Sequence, residues 1–208
     1  MPLHGFSPSA WRRPGRRLAG LIVVLALAAA WFGLPPGSAP DPAPAGASTV
    51  ALPQASYRLQ GTVVSVADGD TVTLRAADGR RRIRLDSIDA PEAGHGQQEP
   101  GQPHAEASRQ HLAALVEGKT LTAQCYEKDQ YGRDLCALVL PDGRSANREQ
   151  VAAGYAWAYT ARRGDYLRDE AMPGLQRRAR EARIGLWADN GATEPWKWRY
   201  DCWKEKRC

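Results

Sequence analysis

Two Asp-Gly steps, Asp68-Gly69 and Asp78-Gly79, cut residues 57–85 into three short β-rich runs, and no other feature narrows the fold of this chain as much. Asp and Gly supply the backbone freedom that a tight reversal needs. Residues 57–66 (YRLQGTVVSV) precede a turn at 67–70, and residues 71–76 (TVTLRA) alternate as a strand. Residues 81–85 resume the pattern, with Ile83 and Leu85 on one face and Arg82 and Arg84 on the other. Three strands joined by two tight turns form a meander. Beyond it, residues 104–116 (HAEASRQHLAALV) have helical spacing and stop at Gly118. Residues 120–126 and 135–140 read as two more strands, and 147–153 as a short helix ended by Gly154. Pro173 opens a helix that runs to Arg183, with Gly185 past its end. Strands split three and two, with three helices, predict an α+β chain: an OB-fold-like five-stranded β-barrel with Greek-key character and the helices packed on it.

The N-terminal segment is of another kind. Four arginines (Arg12, Arg13, Arg16 and Arg17) precede an uncharged run over residues 18–34, and a Pro/Ala/Gly stretch follows. A basic region before an apolar run is the pattern of an export signal, and the Pro-rich stretch reads as a linker. Two outcomes are open: cleavage after Ala47, within Ala45-Gly46-Ala47, or an uncleaved anchor in the inner membrane with the arginines left in the cytoplasm. Either exports the remainder, as a secreted, periplasmic or membrane-anchored protein. The expected organisation is a leader and linker over 1–47, a folded domain over 48–190 and a Trp/Lys-rich tail over 191–208. At 43% hydrophobic and 25% charged residues, the composition excludes a wholly disordered, collagen-like or polytopic membrane chain. Of the net charge of +5, the leader accounts for +3, so basicity alone is weak evidence for a nucleic-acid partner.

Cys125, Cys136, Cys202 and Cys208 all lie in the exported part, where an even number of cysteines suggests disulfides. Cys125 and Cys136 flank a turn-like DQYGRD, so a bridge across adjacent strands is plausible; Cys202 and Cys208 would then close a small C-terminal loop. A zinc site is the alternative, although neither pair has the short C-x₂-C spacing.

Polar residues gather where strand gives way to turn: Asp70 at the first hairpin, Arg84 near the end of the third strand, Asp89 and Glu92 in IDAPE, Arg133 in DQYGRD. Cleaving a phosphodiester needs a hard cation held by oxygens, donors for the charge building on phosphorus, and a group acting on the attacking water. Asp70 and Asp89 suit the first need, the planar forks of Arg84 and Arg133 the second, and Glu92 the third. Each residue alone has an ordinary explanation in a turn or a solvated strand face; the case rests on their occurring together.

D-G-D-T at 68–71, I-R-L-x-x-I-D-A-P-E at 83–92 and D-x-Y-G-R at 129–133 together resemble the staphylococcal nuclease family, and the likeness extends through GYAWAY at 154–159 and GLW at 185–187. The resemblance implies a calcium-dependent endonuclease that cuts DNA and/or RNA and leaves 3′-phosphates. It implies that Asp70, Asp89 and the Ala90 carbonyl hold the calcium ion, with Asp68 an acid beside it. Arg84 and Arg133 would grip the scissile phosphate, Glu92 would act as general base, and Tyr131 would help hold a terminal phosphate. The chain departs from the family's namesake in having Gln130 for a lysine and Thr160 for a substrate-side tyrosine, a role that the neighbouring Tyr159 can take. Pro173 falls inside a helix that is long in the family, so a late start is expected there.

His104 and His111 share a helix face and read as packing or surface rather than metal ligands. Arg177, Arg178, Arg180 and Arg183 read as a solvated face or a backbone contact to nucleic acid, and the tail WKWRYDCWKEKRC as packing or base stacking. No obligate protein partner is inferred, and a monomer is expected. The alternative functions are an OB-fold that binds nucleic acid without cutting it, and a structural or adhesive surface module.

Overall fold

The computed structural model describes residues 51–208. The expected leader, linker and cleavage point of residues 1–47 lie outside the described residues. Among the described residues no helix is long and apolar enough to cross a membrane.

Alternation builds the barrel. Strand β1 (Tyr57–Val66), β2 (Thr71–Ala76) and β3 (Gly79–Leu85) form the meander, and β5 (Thr120–Lys128) and β6 (Asp134–Val139) the second hairpin. Between them lies β4, only Ile88–Asp89. The barrel closes in the order β1-β2-β3-β6-β5. All its pairings are antiparallel except β3 with β6, which run parallel from Ile83 opposite Asp134 to Leu85 opposite Cys136. The inward residues Val63, Val72, Leu74, Ile83, Leu85, Leu121, Ala123 and Leu138 fill the interior. Burying one such aliphatic side chain contributes roughly 1.5–3 kcal/mol, so the period-two pattern is also the barrel's main source of stability.

Helix α1 (Ala105–Val116) follows β4, with Leu112 and Val116 buried, and Glu117 and Gly118 end it. The expected helix began at His104, which instead takes a left-handed backbone (φ 68°) before the first turn. Helix α2 (Ala146–Ala152) starts at Ser145, whose Oγ caps the Arg148 amide. A two-residue strand, β7 (Trp157–Ala158), then pairs antiparallel with β4. Helix α3 (Met172–Glu181) carries Pro173 in its first turn and stops two residues short of the expected Arg183, which is left-handed at φ 52°. Gly154 and Gly185 meet back to back: a Cβ on Gly154 would lie 2.4 Å from the Ile184 carbonyl oxygen, and one on Gly185 2.3 Å from the Gly154 carbonyl oxygen. Only glycine permits that approach, and it lets the Leu186 amide donate to the Gly154 carbonyl at 2.8 Å.

The expected two disulfides are both formed, Cys125–Cys136 and Cys202–Cys208, and no cysteine is free among the described residues. The first joins directly opposed residues of β5 and β6. The second lies in an ordered tail: α4 (Pro195–Trp198) runs into a π-helical turn over Arg199–Lys204. The sequence pattern predicts three helices and no element in this tail, where the described residues hold a fourth, short helix. Three-residue and four-residue 3₁₀ turns at Arg162–Gly164 and Gly185–Ala188 complete the fold.

Candidate active site

Strand β3 ends at Leu85 and the chain turns through Asp86 and Ser87 into β4, so Arg84 and Asp89 come to one side of the same reversal. Ser87 pins it. With a left-handed φ of 66°, its hydroxyl donates to Asp86 Oδ2 (2.6 Å) and accepts from the Arg168 and Asp169 amides (2.9 and 3.0 Å). Its carbonyl accepts from the Tyr159 amide at 3.0 Å. Such a conformation costs on the order of 1 kcal/mol and persists where its surroundings demand it. The turn between β1 and β2 supplies Asp70, held from below by α2, whose buried Gln150 donates to the Gly69 carbonyl at 2.7 Å. The Leu85 amide donates to the Asp70 carbonyl at 2.7 Å, so hairpin and strand end are fixed together.

Arg84 bridges the two aspartates. Its Nη2 donates to Asp89 Oδ1, and its Nη1 lies in ion-pair contact with Asp70 Oδ2 without hydrogen-bond geometry. Asp70 Oδ2 also accepts from the Ala90 amide at 2.7 Å and Oδ1 from the Thr71 hydroxyl at 3.1 Å. Asp89 is fully buried and Asp70 nearly so. Burial works against the charge on Arg84, but Asp70, Asp89, Asp68 and Glu92 hold its proton more tightly than usual. Asp68 accepts the Asp70 amide at 2.9 Å; burial, then the Asp70 charge, pushes its carboxyl up to about 7. Glu92 is pushed up to about 7 by burial, against the pull of Arg199 and with further push from Asp89 and Asp70.

These acids and Arg84, all except the fully buried Asp89, line a cleft of about 510 Å³, together with Tyr131, Arg133, Tyr159, Arg162 and Tyr166. Arg133 and Tyr131 sit at its rim. Arg133 Nε donates to Asp129 Oδ2 at 2.7 Å and its guanidinium lies over the Tyr131 ring at 5.5 Å, while Tyr131 is 72% exposed. Among the described residues no hydrogen bond or ion pair joins Arg133 to Asp70, Asp89 or Glu92. Arg133 therefore shares the cleft with Arg84 without touching the carboxylates around it. Tyr159 belongs to an aromatic wall, stacked on Tyr166 (5.9 Å, 20° between rings) and tilted on Trp196 (5.5 Å).

Sequence reading missed one member of the cluster, Arg199. Its Nη2 donates to Asp89 Oδ2 at 2.8 Å and its Nη1 to Asp89 Oδ1 at 3.3 Å and to Glu92 Oε1. The tail is bolted on beside it. The indole N–H groups of Trp198 and Trp203 both donate to the Pro100 carbonyl (3.2 and 2.9 Å), and Lys206 Nζ donates to the Gln98 carbonyl at 3.0 Å. Gln102 joins the two segments, accepting from the Glu92 amide at 3.2 Å and donating to the Thr193 carbonyl. The available signal was the closing cysteine pair, which marks the tail as ordered. The two histidines are packing residues: His111 meets Gln150 and stacks on Tyr155, and His104 pairs with Asp189.

A hard cation fits this donor set. The acids offer oxygens, and as Asp68 and Glu92 lose their protons near pH 7 they make, with Asp70 and Asp89, four carboxylates facing two bonded guanidiniums, which leaves negative charge to be met. Among the described residues no three His, Cys, Asp or Glu side chains are arranged to hold a metal by themselves. The holders would be the Asp70 and Asp89 side chains with the Ala90 carbonyl, the rest of the shell being water and ligand oxygens.

A five-stranded barrel closed in this order, with buried acids and arginines on its flank, defines an OB-fold-like chain. Residues 82–189 match the model of the family described as staphylococcal nuclease homologue. A protein of Escherichia coli O157:H7 named as an uncharacterized endonuclease is 39% identical over 142 residues, covering 68% of this chain and 86% of its own length. The micrococcal nuclease of Shigella flexneri is 37% identical over 149 residues, covering 68% of this chain and 80% of its own. The chain belongs to the staphylococcal nuclease family.

Proposed function

We propose that the chain is an exported, calcium-dependent endonuclease that hydrolyses phosphodiester bonds of DNA and RNA and leaves 3′-phosphate ends. The nuclease family to which it belongs makes it a hydrolytic enzyme acting on nucleic acid; cation, products and location are the finer reading. The observation that carries it is the buried bridge of Arg84 between Asp70 and Asp89, in the cleft that also holds Glu92 and Arg133. Two disulfides in the described residues, with the apolar run over residues 18–34, support export.

A scissile phosphate fits between Arg84 and the rim. A calcium ion, when bound, supplies positive charge that draws electron density from the phosphate oxygens. To meet the equatorial oxygens, where negative charge builds in the transition state, the planar N–H forks of Arg84 and Arg133 turn from Asp70, Asp89 and Asp129 onto the phosphate. The Glu92 carboxylate accepts a proton from the water whose oxygen attacks phosphorus. The bond to the 5′-oxygen breaks, that oxygen takes up a proton from solvent as an alcohol, Glu92 returns its proton to solvent, and the phosphate stays on the 3′-carbon side. Tyr159, Tyr166 and Trp196 offer ring faces to a base beside the cut.

The test is release of nucleotides from denatured DNA by the purified chain, with calcium, with chelator, and with the Glu92→Gln and Arg84→Lys variants. Cutting is expected with calcium alone. Loss of the fork in Arg84→Lys is expected to cost on the order of 10²–10³ in rate. Equal cutting with and without chelator, or a fully active Arg84→Lys chain, contradicts the reading.

A further inference from the structure

The β2–β3 hairpin carries more positive charge than the cleft uses. Its register sets Thr71 opposite Arg84, Thr73 opposite Arg82 and Arg75 opposite Arg80. Alternate residues of a strand share a face, and Ile83 and Leu85 point into the core, so Arg80, Arg82 and Arg84 stand in one outer row with Arg75 beside its far end. Strand rise puts successive members of the row roughly 7 Å apart. Thr62 of β1 faces Arg75, and its face continues to Arg58 at the same end.

Arg58, Arg75, Arg80 and Arg82 are exposed, and none has an acid partner among the described residues. The only aspartate of the hairpin tip, Asp78, is taken by Arg81, which also holds the buried Asp134. Like charges directly opposed across two strands destabilise the pair. Arg75 and Arg80 bear that cost with nothing to offset it. One end of the row is Arg84, inside the cleft; the other is open to solvent.

We infer that this row is a track for the backbone of one nucleic-acid strand, with phosphates beyond the cut bond seated on Arg82 and then on Arg80 and Arg75. The inference rests on the nuclease reading for the place of the cut phosphate at Arg84. A single file of guanidiniums leading into the cleft suits a linear polyanion. It suits an anionic lipid surface less well, since the exposed large apolar residues among those described, Tyr131, Ile184 and Tyr200, all lie off the hairpin. The track makes the site prefer long strands to short ones.

The experiment compares the full chain with its Arg75→Gln/Arg80→Gln/Arg82→Gln variant. Binding of a fluorescent single strand of about 20 nucleotides is measured in chelator over a range of salt, so that nothing is cut. Each phosphate contact on a single strand contributes about 0.7 to the slope of log affinity against log salt, so the slope is expected to fall by about 2. With calcium, kcat/KM for that strand is expected to fall about tenfold or more, and that for a dinucleotide to stay within about twofold. The melting temperature is expected not to fall, which excludes misfolding. An unchanged salt slope, or equal losses on long and short substrates, overturns the track. Three-arginine-dependent binding to vesicles of phosphatidylglycerol, with strand binding untouched, overturns it in favour of a lipid surface. If the parent chain cuts nothing but the slope still falls, the track stands and the nuclease reading is lost.

Discussion

Arg199 reaches Asp89 across 110 residues, and the contact has a specific shape: the fork takes Asp89 Oδ2 and Glu92 Oε1, so Arg199 orients one expected cation ligand and the expected base together. Losing a group that orients metal ligands commonly costs 10–100-fold in affinity or activity. Arg199→Ala is therefore expected to lower kcat by about that factor, with Arg199→Lys recovering only part, because an ammonium lacks the planar fork. Steady-state kinetics at saturating calcium check this; an Arg199→Ala chain with wild-type kcat removes Arg199 from the active assembly. Arg84 and Asp89 are legible in the sequence because they lie within one short motif, I-R-L-x-x-I-D-A-P-E, whose strand-and-turn pattern brings positions five apart to one reversal. Arg199 is not, because nothing local to W-K-W-R says that the tail folds back.

The barrel strands followed from alternation and turn chemistry, and their ends moved by a few residues only. What escaped was short or locally unpatterned. Strands β4 and β7 have two residues each, too few to alternate, and their pairing is continued by the Ser87 turn, whose carbonyl accepts from the Tyr159 amide. The helix ends at His104 and Arg183 were misplaced because both residues take left-handed backbone despite having side chains. Helix α2 ties the parts together. Its buried Asn147 donates to the Asp86 and Cys136 carbonyls (2.9 and 3.0 Å) and accepts from the Leu138 amide (3.0 Å), while Gln150 holds the Asp70 hairpin. The Cys125–Cys136 bridge closes a loop with a sequence separation of 11 around Asp129 and Arg133. A Cys125→Ala/Cys136→Ala chain is expected to lose about 2–3 kcal/mol in denaturant unfolding. Because the same loop carries Arg133, cutting at room temperature should weaken as well; a double variant with unchanged stability contradicts the assignment of a structural bridge.

The barrel, the helices and the tail converge on one acidic cluster, so cation binding should report on the fold as a unit. A ligand that binds only the folded state stabilises it by about 2.7 kcal/mol at a hundred times its dissociation constant. Calcium in that excess is expected to raise the melting temperature by several degrees, chelator to reverse the rise, and Asp89→Asn to abolish it. Calorimetry without nucleic acid checks this, and an equal rise in Asp89→Asn places the ion elsewhere.

Arg199 reaches Asp89 and Glu92 from a segment that follows every barrel strand in the chain. A proteolytic nick between Ala188 and Pro195 would therefore leave the barrel's strands whole and still free the guanidinium that grips both acids.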